Sequence, residues 1–158
     1  MEKQQNQFDE TFDVLVVGSG CGGLTAALTA DIASPSKVLV VEKSHLIGGT
    51  SATSGGVIWI PDNHLAKEKG ANDSISEAKE YLKATIPADE FNEPLIDAYL
   101  DQGPKMVKFM EDNTDAKYTS LEHYPDYFQD APGVKLGNRA LEPLPVSAAP
   151  LEDDVDNL

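Results

Sequence analysis

Val14-Leu15-Val16-Val17-Gly18-Ser19-Gly20-Cys21-Gly22-Gly23 opens a stretch that closes on Val38-Leu39-Val40-Val41-Glu42, and this stretch decides the fold. An apolar run, a glycine turn, a helical pattern, a second apolar run and an acid make the βαβ unit that holds the ADP half of a dinucleotide. Gly18 permits a tight turn out of the strand, and Gly20 leaves room for the pyrophosphate. Gly23 lets the helix lie close on the strand. The N–H groups at the helix start then face the phosphates, with the positive end of the helix dipole behind them. Glu42 lies 19 residues beyond Gly23, at the end of the second strand. A carboxylate there can accept both hydroxyls of an adenosine ribose and repels a 2′-phosphate.

Phe12 to Val17 reads as a strand buried on both faces, as in a covered parallel sheet. Leu24 to Ala33 reads as the crossover helix, with Leu24, Ala27, Leu28 and Ile32 on its core face. Ser34-Pro35-Ser36 ends it, and Lys37 to Val41 is the second strand, parallel to the first through a right-handed crossover.

The whole chain sets outer bounds. Its 158 residues suffice for a domain with a real core. A formal net charge of −15 argues against nucleic acid and anionic membranes as partners. No apolar run is long enough for a transmembrane helix, and residues 1–11 read as a disordered lead-in with no signal-peptide core. Cys21 is the only cysteine, so no internal disulfide is possible; it reads as a small turn residue in a reducing, cytoplasmic setting. His45, His64 and His123 show no metal-ligand spacing and read as surface or loop residues, and no metal is expected.

A second loop follows the acid: Gly48-Gly49-Thr50-Ser51-Ala52-Thr53-Ser54-Gly55-Gly56. Small residues let its backbone approach a ligand closely, and its hydroxyls and N–H groups offer donors. A flexible linker has the same composition. Here, however, the loop runs directly into Val57-Ile58-Trp59-Ile60-Pro61, an apolar strand-like segment that demands burial.

Glu42-Lys43, the Gly48–Gly56 loop and Trp59-Ile60-Pro61 resemble the FAD-binding region of the fumarate reductase/succinate dehydrogenase flavoprotein superfamily. Within it, the pattern is most similar to the 3-ketosteroid dehydrogenases, from about Phe12 to Pro145. The resemblance implies FAD, with the pyrophosphate on the first turn (Gly18, Ser19, Gly20, Cys21, Gly22, Gly23). It implies Glu42 and Lys43 beside the adenine ribose, and Gly48, Gly49, Thr50, Ser51, Ser54, Gly55 and Gly56 along the pyrophosphate and flavin. His123-Tyr124-Pro125-Asp126-Tyr127-Phe128, before Ala131-Pro132-Gly133, resembles the family segment in which a tyrosine lines the steroid site. That role falls on Tyr127 as a catalytic phenol, which can donate to an oxygen that gains charge as the substrate enolises.

The expected fold class is α/β. A Rossmann-like FAD-binding βαβ start occupies residues 12–62, a helical segment 63–117, and an irregular aromatic and proline-rich segment 118–158, the start of a substrate lobe. In the helical part, Asn63 to Gly70 is a short helix. Ser74-Ile75-Ser76-Glu77 is a capping box for a helix to about Thr85, with Ile75, Ala78 and Leu82 on one face. Pro94 opens another helix, Gly103-Pro104 breaks it, and Met106, Val107, Phe109 and Met110 of the following one pack in a core.

The expected activity is FAD-dependent dehydrogenation of a small apolar, steroid-like ketone. A ring double bond forms, and electrons pass on to an external acceptor. A fumarate reductase-like enzyme for a dicarboxylate is a second reading; it calls for arginines, and the chain has one, Arg139. A third is a non-catalytic nucleotide-binding fragment, with the remaining part of the same enzyme absent, marginal stability and exposed sheet edges. NAD in place of FAD stays open from the first turn alone; the second glycine loop favours FAD.

Overall fold

The computed structural model describes residues 10–157, and the chain divides into two units. One comprises residues up to Ser54 together with those from Ala148; the other runs Gly55–Ser147.

The first unit begins with β1 (Val14–Val17), α1 (Cys21–Ala33) and β2 (Val38–Val41). β1 and β2 pair in parallel, with Val14 opposite Val38 and Val17 opposite Val41. The strand is not buried on both faces as its sequence suggests. α1 packs on this two-stranded sheet. Side chains alternate along a strand, so Val14 and Val16 are half-buried while Leu15 is 61 % and Val17 79 % exposed. For the same reason only Ala27 of α1's expected core face is fully buried, and Leu24, Leu28 and Ile32 stay partly exposed. The second glycine loop is partly helical: α2 (Gly49–Ala52) forms one short turn after Gly48. Two 3-10 turns meet at a kink at Glu152 within Ala149–Asn157, and Ile47 N–H donates to Asn157 O at 2.6 Å.

The second unit holds β3 (Ile58–Trp59), α3 (His64–Glu68), α4 (Ile75–Thr85), α5 (Glu93–Asn113), β4 (Tyr118–Ser120) and β5 (Ala140–Pro143). Its three strands lie in the order β3-β5-β4, all antiparallel. Ile60, Val107 and Leu141 form the core, with Ile58, Leu65, Met106 and Tyr118 packed around them. Met110 is buried beside this group in sequence, as its spacing suggests.

Local chemistry explains the helix starts. Asn63 caps α3 by accepting from Ala66 N–H at 2.8 Å, and its amide donates to Ile60 O and Asn138 O. Ser74 caps α4 through Glu77 N–H. The return arm of the expected capping box differs: Glu77 accepts from the Ser74 hydroxyl and from Lys135 Nζ, while Ser74 N–H goes to Asp73. Asn92 caps α5, with Pro94 in its first turn.

Gly103-Pro104 does not break the helix; α5 runs through it. Part of the clash by which proline discourages helical backbone in the preceding residue is with that residue's Cβ, and Gly103 has none. Gly103 is also buried against Ile60, whose Cδ1 would lie 3.3 Å from an added Cβ, so packing holds the helix together there. His64 is likewise not a loop residue. It starts α3, its Nε2 lies 2.7 Å from Glu111 Oε2, and its Nδ1 is buried with no hydrogen-bond partner among the described residues.

The largest fully buried side chain of the unit is Arg139, 1 % exposed. Its Nε and Nη2 bond Asp73 Oδ2 and Oδ1 at 3.0 and 2.7 Å, and its Nη1 bonds Asp126 Oδ2 at 2.7 Å. The rings of Trp59 and Tyr81 lie over the guanidinium, 5.4 and 5.8 Å from Cζ. Burial alone would raise the Asp73 carboxyl; the Arg139 bonds, with Asp62 and Ser74 N–H, outweigh it and hold the group below the ordinary carboxylate value. Burial likewise opposes the guanidinium charge, and Asp73 and Asp126 overcome it and raise Arg139.

Arg139→Met would leave two buried carboxylates without a counter-charge, a loss of about 3–5 kcal/mol. Urea unfolding followed by the emission of Trp59, the sole tryptophan, should show the midpoint falling accordingly. An unchanged midpoint would mean that the cluster does not hold this unit together.

Candidate FAD and substrate sites

The first glycine turn closes as its residues suggest. Gly18 has φ +96°, a backbone conformation that disfavours a side chain. A Cβ on Gly23 would lie 2.0 Å from Gly18 O, so only glycine lets α1 start so close to the strand. Added Cβ atoms on Gly20 or Gly22 would meet nothing within 4 Å. The space before the helix is therefore open, and the N-cap residue of α1, Gly20, offers no side-chain cap.

Two sequence-distant pieces converge on Ser19, which is buried. Its N–H and hydroxyl both donate to Glu42 Oε2, at 2.9 and 2.7 Å, and its Oγ accepts from Gly48 N–H at 3.0 Å. Glu42 Oε1 accepts from Ser44 N–H at 3.0 Å. These donors, the Ser19 hydroxyl foremost, hold the Glu42 carboxyl down at about 2. Ser51 Oγ accepts from Cys21 N–H at 3.2 Å, which ties α2 to the turn. Thr50 and Ser51 carbonyls accept from the Thr53 and Ser54 hydroxyls, so those groups brace the loop itself. Lys43 is exposed. Gly55 and Gly56 fall in the second unit, where a Cβ on Gly56 would lie 2.8 Å from Pro143 Cγ.

A separate cavity of about 310 Å³ lies wholly in the second unit, lined by Trp59, Tyr81, Leu82, Tyr124, Asp126 and Tyr127 among others. Trp59 and Tyr81 rings lie 5.9 Å apart, tilted by 33°. Tyr127 is 81 % exposed, and Tyr124 is partly exposed. The neighbouring Tyr127 phenol raises the Tyr124 hydroxyl above its ordinary value. Asp126, 4 % exposed, fixes the segment between them. Its carboxylate accepts from Trp59 Nε1 at 2.6 Å, Lys135 N–H at 2.9 Å and Arg139 Nη1.

Asp126, Trp59 and Arg139 were not legible as a constellation. Asp126 and Arg139 are 13 residues apart, and Trp59 precedes Asp126 by 67. The available signal was a lone arginine in a chain with 27 acidic residues against 12 Lys and Arg together; once buried, it must find carboxylate partners.

Residues 13–146 match the family model described as FAD binding domain. The chain belongs to this family. It is 43 % identical over 145 residues to 4-oxocyclohexanecarboxylate 2-dehydrogenase of Sinomonas cyclohexanicum, covering 92 % of this chain and 25 % of that protein. It is also 43 % identical over 150 residues to 3-oxosteroid 1-dehydrogenase of Mycobacterium tuberculosis, covering 94 % of this chain and 26 % of that one. Among solved structures it matches 3-ketosteroid delta1-dehydrogenase from Sterolibacterium denitrificans in complex with 1,4-androstadiene-3,17-dione. The TM-score is 0.84 and the identity 44 %, over 93 % of this chain and 26 % of that one. The chain thus spans about a quarter of the length of these relatives.

The cofactor of this family is FAD, and the residues present fit it. Gly20 and Gly22 border open space at the start of α1, which suits a pyrophosphate. A carboxylate held ionised, Glu42, directly follows β2 and would suit a ribose hydroxyl. Its Oε2 is already shared by two Ser19 donors, so Oε1 is the oxygen better placed for a ribose hydroxyl.

The Glu42 carboxyl is lower when folded, about 2 against 4.5, so its contribution to the turn is present above pH 4.5 and lost as pH falls through about 2. Exchange protection of the Ser19 amide should fall across that window. Glu42→Gln should flatten the response; a wild-type profile that is already flat would contradict the Ser19–Glu42 tie.

Proposed function

We propose that the chain serves an FAD-dependent dehydrogenase acting on an apolar, 3-ketosteroid-like ring ketone. The observation that carries the reading is the aromatic cavity with two phenols in its lining, beside an arginine that is sealed from it. Arg139 spends its N–H groups on Asp73 and Asp126 beneath two rings. The one guanidinium of the chain is thus withheld from any substrate, which weighs against a dicarboxylate. The names of the relatives support a ring ketone.

In this reading, Gly18, Ser19, Gly20, Cys21, Gly22 and Gly23 hold the FAD pyrophosphate, and Glu42, with Lys43, meets the adenine ribose. Gly48, Gly49, Thr50, Ser51, Ser54, Gly55 and Gly56 line the cofactor. When bound, FAD supplies the two-electron acceptor for a hydride lost from a ring carbon. Tyr127 donates its O–H to the ketone oxygen, which gains negative charge as the neighbouring carbon loses a proton. Tyr124 lines the same cavity and brings a second phenol beside it. Loss of the proton and the hydride leaves a ring double bond. The relatives' greater length supports assigning the proton-abstracting base and the outlet to an external electron acceptor to sequence outside these residues. No helix among the described residues is long and apolar enough to cross a membrane, and a lone exposed thiol at Cys21 suits the reducing cytoplasm.

Titration with FAD, and with NAD as the control, tests the cofactor half. Saturable FAD binding is expected, weakened by about tenfold or more in Glu42→Ala, the scale of one hydrogen bond to a charged group. A well-folded chain that takes NAD and refuses FAD would sink the reading. For the substrate half, a 3-ketosteroid should perturb Trp59 emission. Tyr127→Phe should weaken binding by up to about tenfold, since one hydrogen bond is lost while the ring remains.

A further inference from the structure

The cavity beside Trp59 has a charge asymmetry that bears on which ketones can enter it. Asp126 is the one charged residue in its lining; the others are aromatic, aliphatic or proline. Its carboxylate is immobile, held by the Trp59 indole N–H, the Lys135 backbone N–H and Arg139. The cluster to which it belongs has two carboxylates, Asp73 and Asp126, against one guanidinium. It therefore carries one uncompensated negative charge. Neighbouring cations do not cancel it: Lys135 Nζ is paired with Glu77 Oε1 at 2.8 Å, and Lys79 with Glu93 and Asp97.

We infer that Asp126, ion-paired in the Asp73–Arg139 cluster, makes this cavity a charge filter that admits uncharged ring ketones and rejects ring ketones bearing a carboxylate. The inference rests on the reading of the cavity as a ketone site. A carboxylate entering it leaves water, finds no lysine or arginine among the described lining residues, and meets a fixed like charge. Apolar walls strengthen that repulsion, because less water remains between the charges to screen it. A neutral ketone meets none of this. It keeps the apolar contact with Trp59, Tyr81 and Leu82, and its oxygen has the phenols of Tyr124 and Tyr127 as donors. Rejection of this kind is specificity by an unfavourable contact with the wrong ligand.

The test uses the whole chain and the emission of Trp59, which lines the cavity and is the only tryptophan. Two probes are titrated: 4-oxocyclohexanecarboxylate and its methyl ester, which share a ring and differ in charge. The ester should bind about tenfold or more tightly than the acid. Asp126→Asn should narrow the gap by improving the acid. Because that change also disturbs Arg139, Val57→Lys supplies an independent variant. Val57 lines the cavity and is partly exposed, so a cation there should likewise favour the acid. Equal or tighter binding of the acid by the unaltered chain overturns the filter and leaves the ketone site standing. A gap unchanged in Val57→Lys also overturns it, whatever Asp126→Asn does. No response to either probe removes the ketone-site reading, and the filter with it.

Discussion

The second unit depends on keeping one guanidinium out of water. Taking a charged group from water into a protein interior costs several kcal/mol, and an imperfect partner does not offset it. Arg139 meets this with a bidentate bond to Asp73, a further bond to Asp126 and two aromatic faces. The partners come from four places: the end of β3, the turn before α4, α4 itself, and the segment before Gly133. β5 starts next to the arginine, so a satisfied Arg139 sets where each of these pieces lies. Hydrophobic residues of similar volume can often replace such a cluster without loss of stability. What they cannot replace is its directionality: Asp126 holds Trp59 Nε1 and the Lys135 backbone while paired, and thereby fixes the wall that bears Tyr127.

The first unit solves a different problem with local means. Its turn needs a positive φ at Gly18 and bare space at Gly20 and Gly22, and it gathers the acid and the second loop through one buried serine. These demands are met by residues that announce themselves. Glycine spacing, a following helix and an acid at the end of the next strand are properties of neighbouring positions, so the βαβ unit could be read directly. Asn and Ser caps and the proline in the first turn of α5 were legible for the same reason: each acts within three or four residues of itself.

Where the reading failed, distance or context decided. Gly103-Pro104 is a breaker by local rules, yet α5 continues because Gly103 lacks the Cβ that proline opposes and is packed on Ile60, more than forty residues earlier. The apolar run of β1 predicts burial on both faces, but burial depends on what lies opposite; α1 covers one side, and Leu15 and Val17 are left outward. His64 looked like one of three unremarkable histidines until Glu111, from the far end of α5, was placed beside it. The Arg139 cluster is the extreme case. None of its bonds is local, and a lone arginine suggests a ligand for an acidic substrate as readily as a structural tie.

That ambiguity is itself informative about how carboxylates are used in this chain. Glu42 and Asp126 are chemically similar groups held by N–H and O–H donors. Glu42 is gripped by uncharged donors, keeps its net charge and is only half-buried. Asp126 is buried and tied to a cation that is itself shared with Asp73, so its charge is spent partly on structure. In an acidic protein, with a formal net charge of −15, abundance of carboxylates says nothing about which of them serve a site. The donors around each one do: neutral donors and partial exposure leave a carboxylate available to a ligand, while a shared arginine under two aromatic rings turns it into part of the wall.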